Sequence, residues 1–107
     1  METIDFSPGD IIIKNGEKGD YVYIIKSGNV KSKVGSYECT LSEREPDIFG
    51  LEALIDEVYT ETCTAVNQVK VIKCSVNEFL EIYAKTDLGK KALESFIKRT
   101  AKALGWI

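Results

Sequence analysis

The sequence predicts a mainly β fold, a sandwich, jelly roll or barrel, followed by two C-terminal helices. Turn signals punctuate the first two thirds of the chain at short intervals, and the segments between them are rich in β-branched and aromatic residues. The last third changes to a helical period and contains no proline.

The turns are Pro8-Gly9-Asp10, Asn15-Gly16, Lys18-Gly19-Asp20, Ser27-Gly28-Asn29, Gly35-Ser36 and Glu45-Pro46-Asp47. Between them Ile11 to Ile13, Tyr21 to Lys26, Val30 to Val34 and Tyr37 to Leu41 read as strands, and Cys63 to Val66 and Val69 to Cys74 read as two more. Ser75 and Asn77 are the residue types that cap a helix, here a short one holding Glu78, Phe79, Leu80 and Ile82. Thr86 or Asp87 caps a longer helix, on which Leu88, Ala92, Phe96, Thr100 and Ala103 follow at steps of three or four. Leu93, Ile97 and Leu104 form an adjacent row, and the two rows make a broad apolar stripe. Lys90, Lys91, Lys98 and Lys102 lie opposite and, with Arg99, read as a solvated face favoured by the helix dipole near its C-terminus. The expected organisation is one domain over 1–107, with a β part at about 4–76 and helices at about 77–84 and 87–104.

Composition excludes several function classes. The chain of 107 residues is 44% hydrophobic and long enough to bury a core without disulfide or metal staples. Its net charge of −3, from 14 basic and 17 acidic residues, argues against nucleic-acid binding, which selects basic surfaces. There is no histidine, so neither a Ser-His nor a Cys-His nucleophile pair can form, and a metal cage would rest on cysteines and carboxylates alone. Neither a catalytic site nor a metal site is expected. Cys39, Cys63 and Cys74 are an odd number without CxxC spacing, which points to a reducing, cytoplasmic setting. Cys63 and Cys74 sit in strand-like runs and read as small buried hydrophobes, whereas Cys39 reads as more exposed. The N-terminus is acidic without an apolar leader, and no run approaches a membrane span, so no membrane association is expected.

The stretch FSPGDIIIKNGEKGDYVYIIKSGNVK resembles the opening of the cyclic-nucleotide-binding domain family. The resemblance rests on Pro8-Gly9-Asp10, Gly16, Gly19-Asp20, Tyr23-Ile24-Ile25 and Ser27-Gly28, in that order and spacing. IFGLEALI resembles the family's phosphate-binding cassette, and VNEFLEIY its helix after the barrel. The resemblance covers almost the whole chain. It implies a double-stranded β-helix, the jelly-roll β-roll, with flanking helices, and a domain that binds ligand and transmits a conformational change without being an enzyme itself. The longer helix matches the family's dimerising or ligand-capping helix. The FGLEAL variant is similar to Crp/Fnr-like regulators.

Physically, such a cassette needs a glycine for close backbone approach and a short helix whose free N–H groups favour an anion. Gly50, Leu51, Glu52, Ala53, Glu61, Thr62 and Cys63 occupy its positions. The resemblance implies a Glu directly after the glycine on the ribose hydroxyl, an Arg further on neutralising the cyclic phosphate, and a small or hydroxyl residue after it. Here Leu51 follows Gly50, and Glu52 comes one residue later, where a bulge would return it to the ribose or where it would itself serve as the resident anion. Glu61 takes the Arg position and Thr62 its neighbour's. A unit charge pair at about 4 Å is worth roughly 4 kcal/mol at an effective dielectric near 20, so exchanging attraction for repulsion rules out tight cAMP or cGMP binding through Glu61. Lys31, Lys33, Lys70 and Lys73 lie on neighbouring strands, but nothing in the sequence directs any of them to this site. Glu61 therefore reads as a solvated loop carboxylate with no neutralising partner nearby.

The expected function is a non-catalytic sensor or regulatory domain. It would take a small anionic ligand or non-canonical nucleotide and signal through its last helix, as part of a Crp/Fnr-like transcriptional regulator. The alternative is a ligand-free interaction module with a closed pocket. The expected partner is a second copy, or another protein, along Leu88, Ala92, Phe96, Thr100 and Leu104, with Trp106 in the contact.

Overall fold

A computed structural model describes residues 1–44, 47–55, 57–83, 86–103 and 105. The strands are β1 Glu2–Phe6, β2 Ile11–Ile13, β3 Tyr21–Ser27, β4 Asn29–Val34, β5 Tyr37–Ser42, β6 Ile48–Phe49, β7 Thr62–Ala65 and β8 Val69–Ser75. A 3-10 helix, Leu51–Ile55, follows β6, and the chain continues into α1 Val76–Tyr83 and α2 Asp87–Ala103. Two four-stranded antiparallel sheets, ordered β1-β8-β3-β6 and β2-β7-β4-β5, face each other as a roll. The expected mainly β roll with C-terminal helices is the fold found.

Alternation explains most strands. On β4, Val30 and Ser32 are buried while Lys31 and Lys33 are exposed. On β8, Val69 and Val71 are buried while Lys70 is exposed. β3 breaks the alternation, because Val22, Tyr23, Ile24 and Ile25 are all buried. Both of its faces are covered. Tyr23 and Ile25 join the cluster inside the roll with Val30, Leu41, Phe49, Cys63 and Val71. Val22 and Ile24 join a second cluster with Ile48, Leu51, Cys74 and Phe79, against which Phe96 of α2 packs. Full burial of each such aliphatic side chain contributes about 1.5–3 kcal/mol. The Tyr23 and Phe49 rings stack at 5.3 Å, tying β3 to β6.

Sequence reading omits two strands. β1 pairs with β8, Ile4 opposite Val71, and so begins ahead of the expected start of the β part near residue 4. Its apolar residues, Ile4 and Phe6, are too few to stand out. β6 is two residues long, and it exists because Ile48 and Phe49 pair with Ile24 and Tyr23. The expected strand Cys63 to Val66 is shifted by one residue, and Val66 is exposed beyond the end of β7.

The helices start where their caps dictate. Ser75 Oγ accepts from Glu78 N at 3.2 Å and Glu78 Oε1 accepts from Ser75 N at 2.9 Å, a reciprocal capping box. Asn77, the other expected cap, lies inside the first turn and is exposed. Thr86, rather than Asp87, caps α2 through Gly89 N, at 3.2 Å. Of the expected partner stripe, Phe96 is half-buried against the roll and Thr100 is half-buried, while Ile97 of the adjacent row is exposed. The side chains of Leu88, Ala92 and Leu93, and Leu104 and Trp106 entirely, lie outside the described residues. No described helix is long and apolar enough to cross a membrane.

Candidate functional site

The cassette is the turn between β6 and β7. Gly50 opens it at φ +82°, a backbone state that side-chain-bearing residues rarely adopt. A Cβ there would lie 2.8 Å from the carbonyl oxygen of Tyr21, so close approach of the cassette to β3 also requires glycine. Leu51, Glu52 and Ala53 are buried in the 3-10 helix that follows. That helix is short, running only from Leu51 to Ile55.

Glu52 is not turned out to meet a ligand. One of its oxygens, Oε2, accepts from Thr60 N at 2.5 Å and from Thr60 Oγ1 at 2.7 Å, which closes the cassette onto the residue before Glu61. Its other oxygen, Oε1, is buried with no hydrogen-bond partner among the described residues. The loop between β2 and β3 braces the same turn. Gly16 N donates to Tyr59 O at 2.8 Å, Tyr59 N donates to Glu17 O at 2.9 Å, and Tyr59 Oη donates to Tyr21 O at 2.7 Å.

Glu61 overturns the reading of a solvated carboxylate without a partner. It is 1% exposed, and Arg99 of α2, 4% exposed, lies on it. Arg99 Nε donates to Glu61 Oε1 at 2.7 Å and Nη2 to Oε2 at 3.3 Å, so the carboxylate receives the planar fork on both oxygens. Ser32 Oγ of β4 donates to Oε1 at 2.7 Å. The remaining guanidinium donors reach Ser95 Oγ at 2.8 Å and Ile48 O at 3.4 Å. Ser95 Oγ in turn lies 3.3 Å from Asp47 Oδ1, and Asp47 Oδ2 accepts from Ser42 N at 2.8 Å. One network thus joins β4, β5, β6, the residue before β7, and α2. Burial alone would lower the Arg99 pKa, but the hydrogen bond and charge of Glu61 outweigh it and hold the guanidinium above its ordinary range.

Arg99 also departs from the solvated lysine face expected for α2. Lys90, Lys91, Lys98 and Lys102 are exposed, as expected. The usable signal was residue type: α2 has lysines at its other basic positions and an arginine at this one, and arginine's fixed fork suits a buried carboxylate. A four-residue step also places Ser95 and Arg99 on one face. The lysines offered by the neighbouring strands do not serve the site. Lys31, Lys33 and Lys70 are exposed, and Lys73 Nζ sits 3.9 Å over the Tyr21 ring.

Thr62 and Cys63 enter β7, where Lys33 and Ser32 stand opposite them. Thr62 Oγ1 accepts from Asn15 N at 3.1 Å, and Cys63 is fully buried. Burial, followed by the Glu61 charge, pushes the Cys63 thiol well up, and burial raises Cys39 as well. All three cysteines are free thiols. Cys39 is half-buried and, as expected, more open than Cys63 and Cys74. A groove of about 740 Å³ opens beside the network between β5 and α2, with Tyr37 and Cys39 on one wall and Arg44, Lys91, Lys98 and Lys102 around its rim. Among the described residues no cluster of His, Cys, Asp or Glu could hold a metal ion.

An antiparallel β-roll with a glycine-opened cassette between its sixth and seventh strands and a helix laid across that cassette defines a class of regulatory domain. The chain belongs to the cyclic nucleotide-binding domain family, whose model matches residues 3–86. It is 35% identical over 80 residues to the cAMP-dependent protein kinase regulatory subunit of Hypocrea atroviridis, covering 74% of this chain and 17% of that protein. The chain thus spans less than a fifth of that relative's length. Among solved structures, PKAR CBD2 with bound Sp-2Cl-cAMPS superposes with a TM-score of 0.77 at 26% identity, over 99% of this chain and 73% of that one. The regulatory subunit of a cAMP-independent protein kinase A from Trypanosoma brucei superposes with a TM-score of 0.67 at 25% identity, over 94% of this chain and 35% of that one. Glu61 lies inside the family match and Arg99 outside it.

Proposed function

We propose that this domain is a non-catalytic regulatory module that signals through α2 and does not take cAMP or cGMP in the ordinary way. The ion pair between Glu61 and Arg99 carries this reading. It puts a buried negative charge where the family resemblance expects a phosphate-neutralising arginine, and it fastens the capping helix to that charge. A cyclic phosphate entering the cassette would meet Glu61 and would have to displace Arg99. The similarity to a regulatory subunit of a cAMP-independent kinase fits a member of the family with another response.

The ligand in this proposal is a small anion held in the groove between β5 and α2. Arg44, Lys91, Lys98 and Lys102 outnumber the carboxylates Asp47 and Glu94 in its lining, and binding would clamp α2 to the roll. Output then passes to a partner protein or a second copy along α2, where Ile97 is exposed. The second reading, an interaction module without a ligand, is favoured by one observation: Arg99 already fills the cassette.

Calorimetric unfolding with and without millimolar cAMP, cGMP and inorganic pyrophosphate tests the proposal. Ligand at about 100 times its dissociation constant raises stability by about 2.7 kcal/mol. The expected result is a shift with pyrophosphate and none with either cyclic nucleotide. A shift with cAMP or cGMP would overturn the reading of Glu61, and no shift with any of the three would leave the interaction module.

A further inference from the structure

We infer that the cassette is a guanidinium receptor: its polarity is inverted relative to a phosphate site, Arg99 is its tethered resident ligand, and an arginine side chain of a protein partner is the group that replaces Arg99 when α2 lifts. This rests on the proposed signalling through α2, but the receptor itself is testable without it.

The site is built for a planar cation with several donors. Glu61 presents both oxygens to the fork, Ile48 O accepts from one edge, and Ser32 holds Glu61 Oε1 from behind. Among the described residues, of the polar contacts to the guanidinium only that from Ser95 comes from the helix that carries it. Glu61, Ser32 and Ile48 belong to the roll and keep their places without α2, because β4 pairs with β7 and β6 pairs with β3. The occupant and the receptor are therefore separable parts. An ammonium group would satisfy the charge but not the two parallel bonds. When α2 is released, Glu61 loses its countercharge and the two guanidinium hydrogen bonds, and the carboxylate, still held by Ser32, is open to another guanidinium.

Removing the resident ligand tests this. Arg99→Ala is expected to lower the unfolding temperature, and methylguanidinium or N-acetylarginine amide at millimolar concentration should raise it again along a saturable curve. N-acetyllysine amide, methylammonium and sodium chloride at equal ionic strength should not. Glu61→Gln in the Arg99→Ala background should weaken the response by about tenfold or more. The proposal is overturned if the guanidinium compounds give no saturable shift, if lysine amide matches them, or if the response survives Glu61→Gln. Should Arg99→Ala fail to fold, Arg99→Lys keeps the charge without the fork and is subjected to the same titrations with the same criteria. A rescue without any effect of pyrophosphate on the wild-type protein would uphold the receptor and overturn the anion groove, so the two proposals fail separately.

Discussion

Arg99 Nε stands 2.7 Å from Glu61 Oε1, with the two residues 4% and 1% exposed, so the charge in the cassette and the charge on the last helix neutralise each other away from water. A pair this deep is costly to break, because whichever partner remains is left charged and desolvated. Glu61→Ala and Arg99→Ala should each cost about 3–5 kcal/mol, while the double substitution Glu61→Leu with Arg99→Met should cost far less than their sum. Denaturant unfolding of all three variants checks this, and additive losses would show that the two residues are not coupled.

Cassette polarity should be convertible. Glu61→Arg combined with Arg99→Ala restores a cation at the phosphate position and removes its competitor. Roughly 4 kcal/mol of pair energy at a distance near 4 Å, with the repulsion removed as well, corresponds to about a thousandfold or more in affinity. The variant is expected to show greater cAMP-dependent thermal stabilisation than the wild-type protein. Isothermal titration would give the affinity.

Gly50→Ala should destabilise the fold by more than about 1 kcal/mol, because it forces a side chain into positive φ and against the Tyr21 carbonyl. Gly9, also at positive φ, has nothing near its Cβ direction, so Gly9→Ala isolates the backbone strain from the clash. Comparing their unfolding midpoints measures the contact itself.

Glu78 should titrate abnormally. Its hydrogen bond to the Met1 amino group, together with those to Ser75, lowers its pKa to about 2. A depressed carboxylate contributes stability that is fully present above its unfolded pKa, about 4.3, and is lost as pH falls toward the folded value. Wild-type stability relative to Glu78→Gln should therefore shrink between about pH 4.3 and about pH 2, as followed by acid unfolding of both proteins.

The cysteines should differ in reactivity. Cys63 is fully buried with a thiol pKa raised well up by that burial, and Cys39 is half-buried with its thiol pKa raised by burial. Thiolate is the reacting form. Near neutral pH an aromatic disulfide reagent should modify Cys39 first and Cys63 only on the timescale of unfolding, with mass spectrometry assigning the order.

Local chemistry made much of this protein legible from sequence. The turn glycines, the alternating β4 and β8, and the capping box of Ser75 and Glu78 are all decided by neighbours close in the chain. The acidic Glu61, standing where the resemblance expects an arginine, was legible too. Its meaning was not, because the residue that answers it lies 38 positions away on a helix whose other basic residues face solvent. β1 and β6 were also beyond reach, since short segments with few apolar residues become strands only when β8 and β3 offer an edge. The sequence by itself determined which residues could form the roll and that its cassette carried the wrong charge for a phosphate. Only the tertiary structure decided that this charge is buried and paired. The packing of α2 against the roll sets the distance and dielectric between Glu61 and Arg99, and electrostatic energy depends on those two quantities rather than on position along the chain.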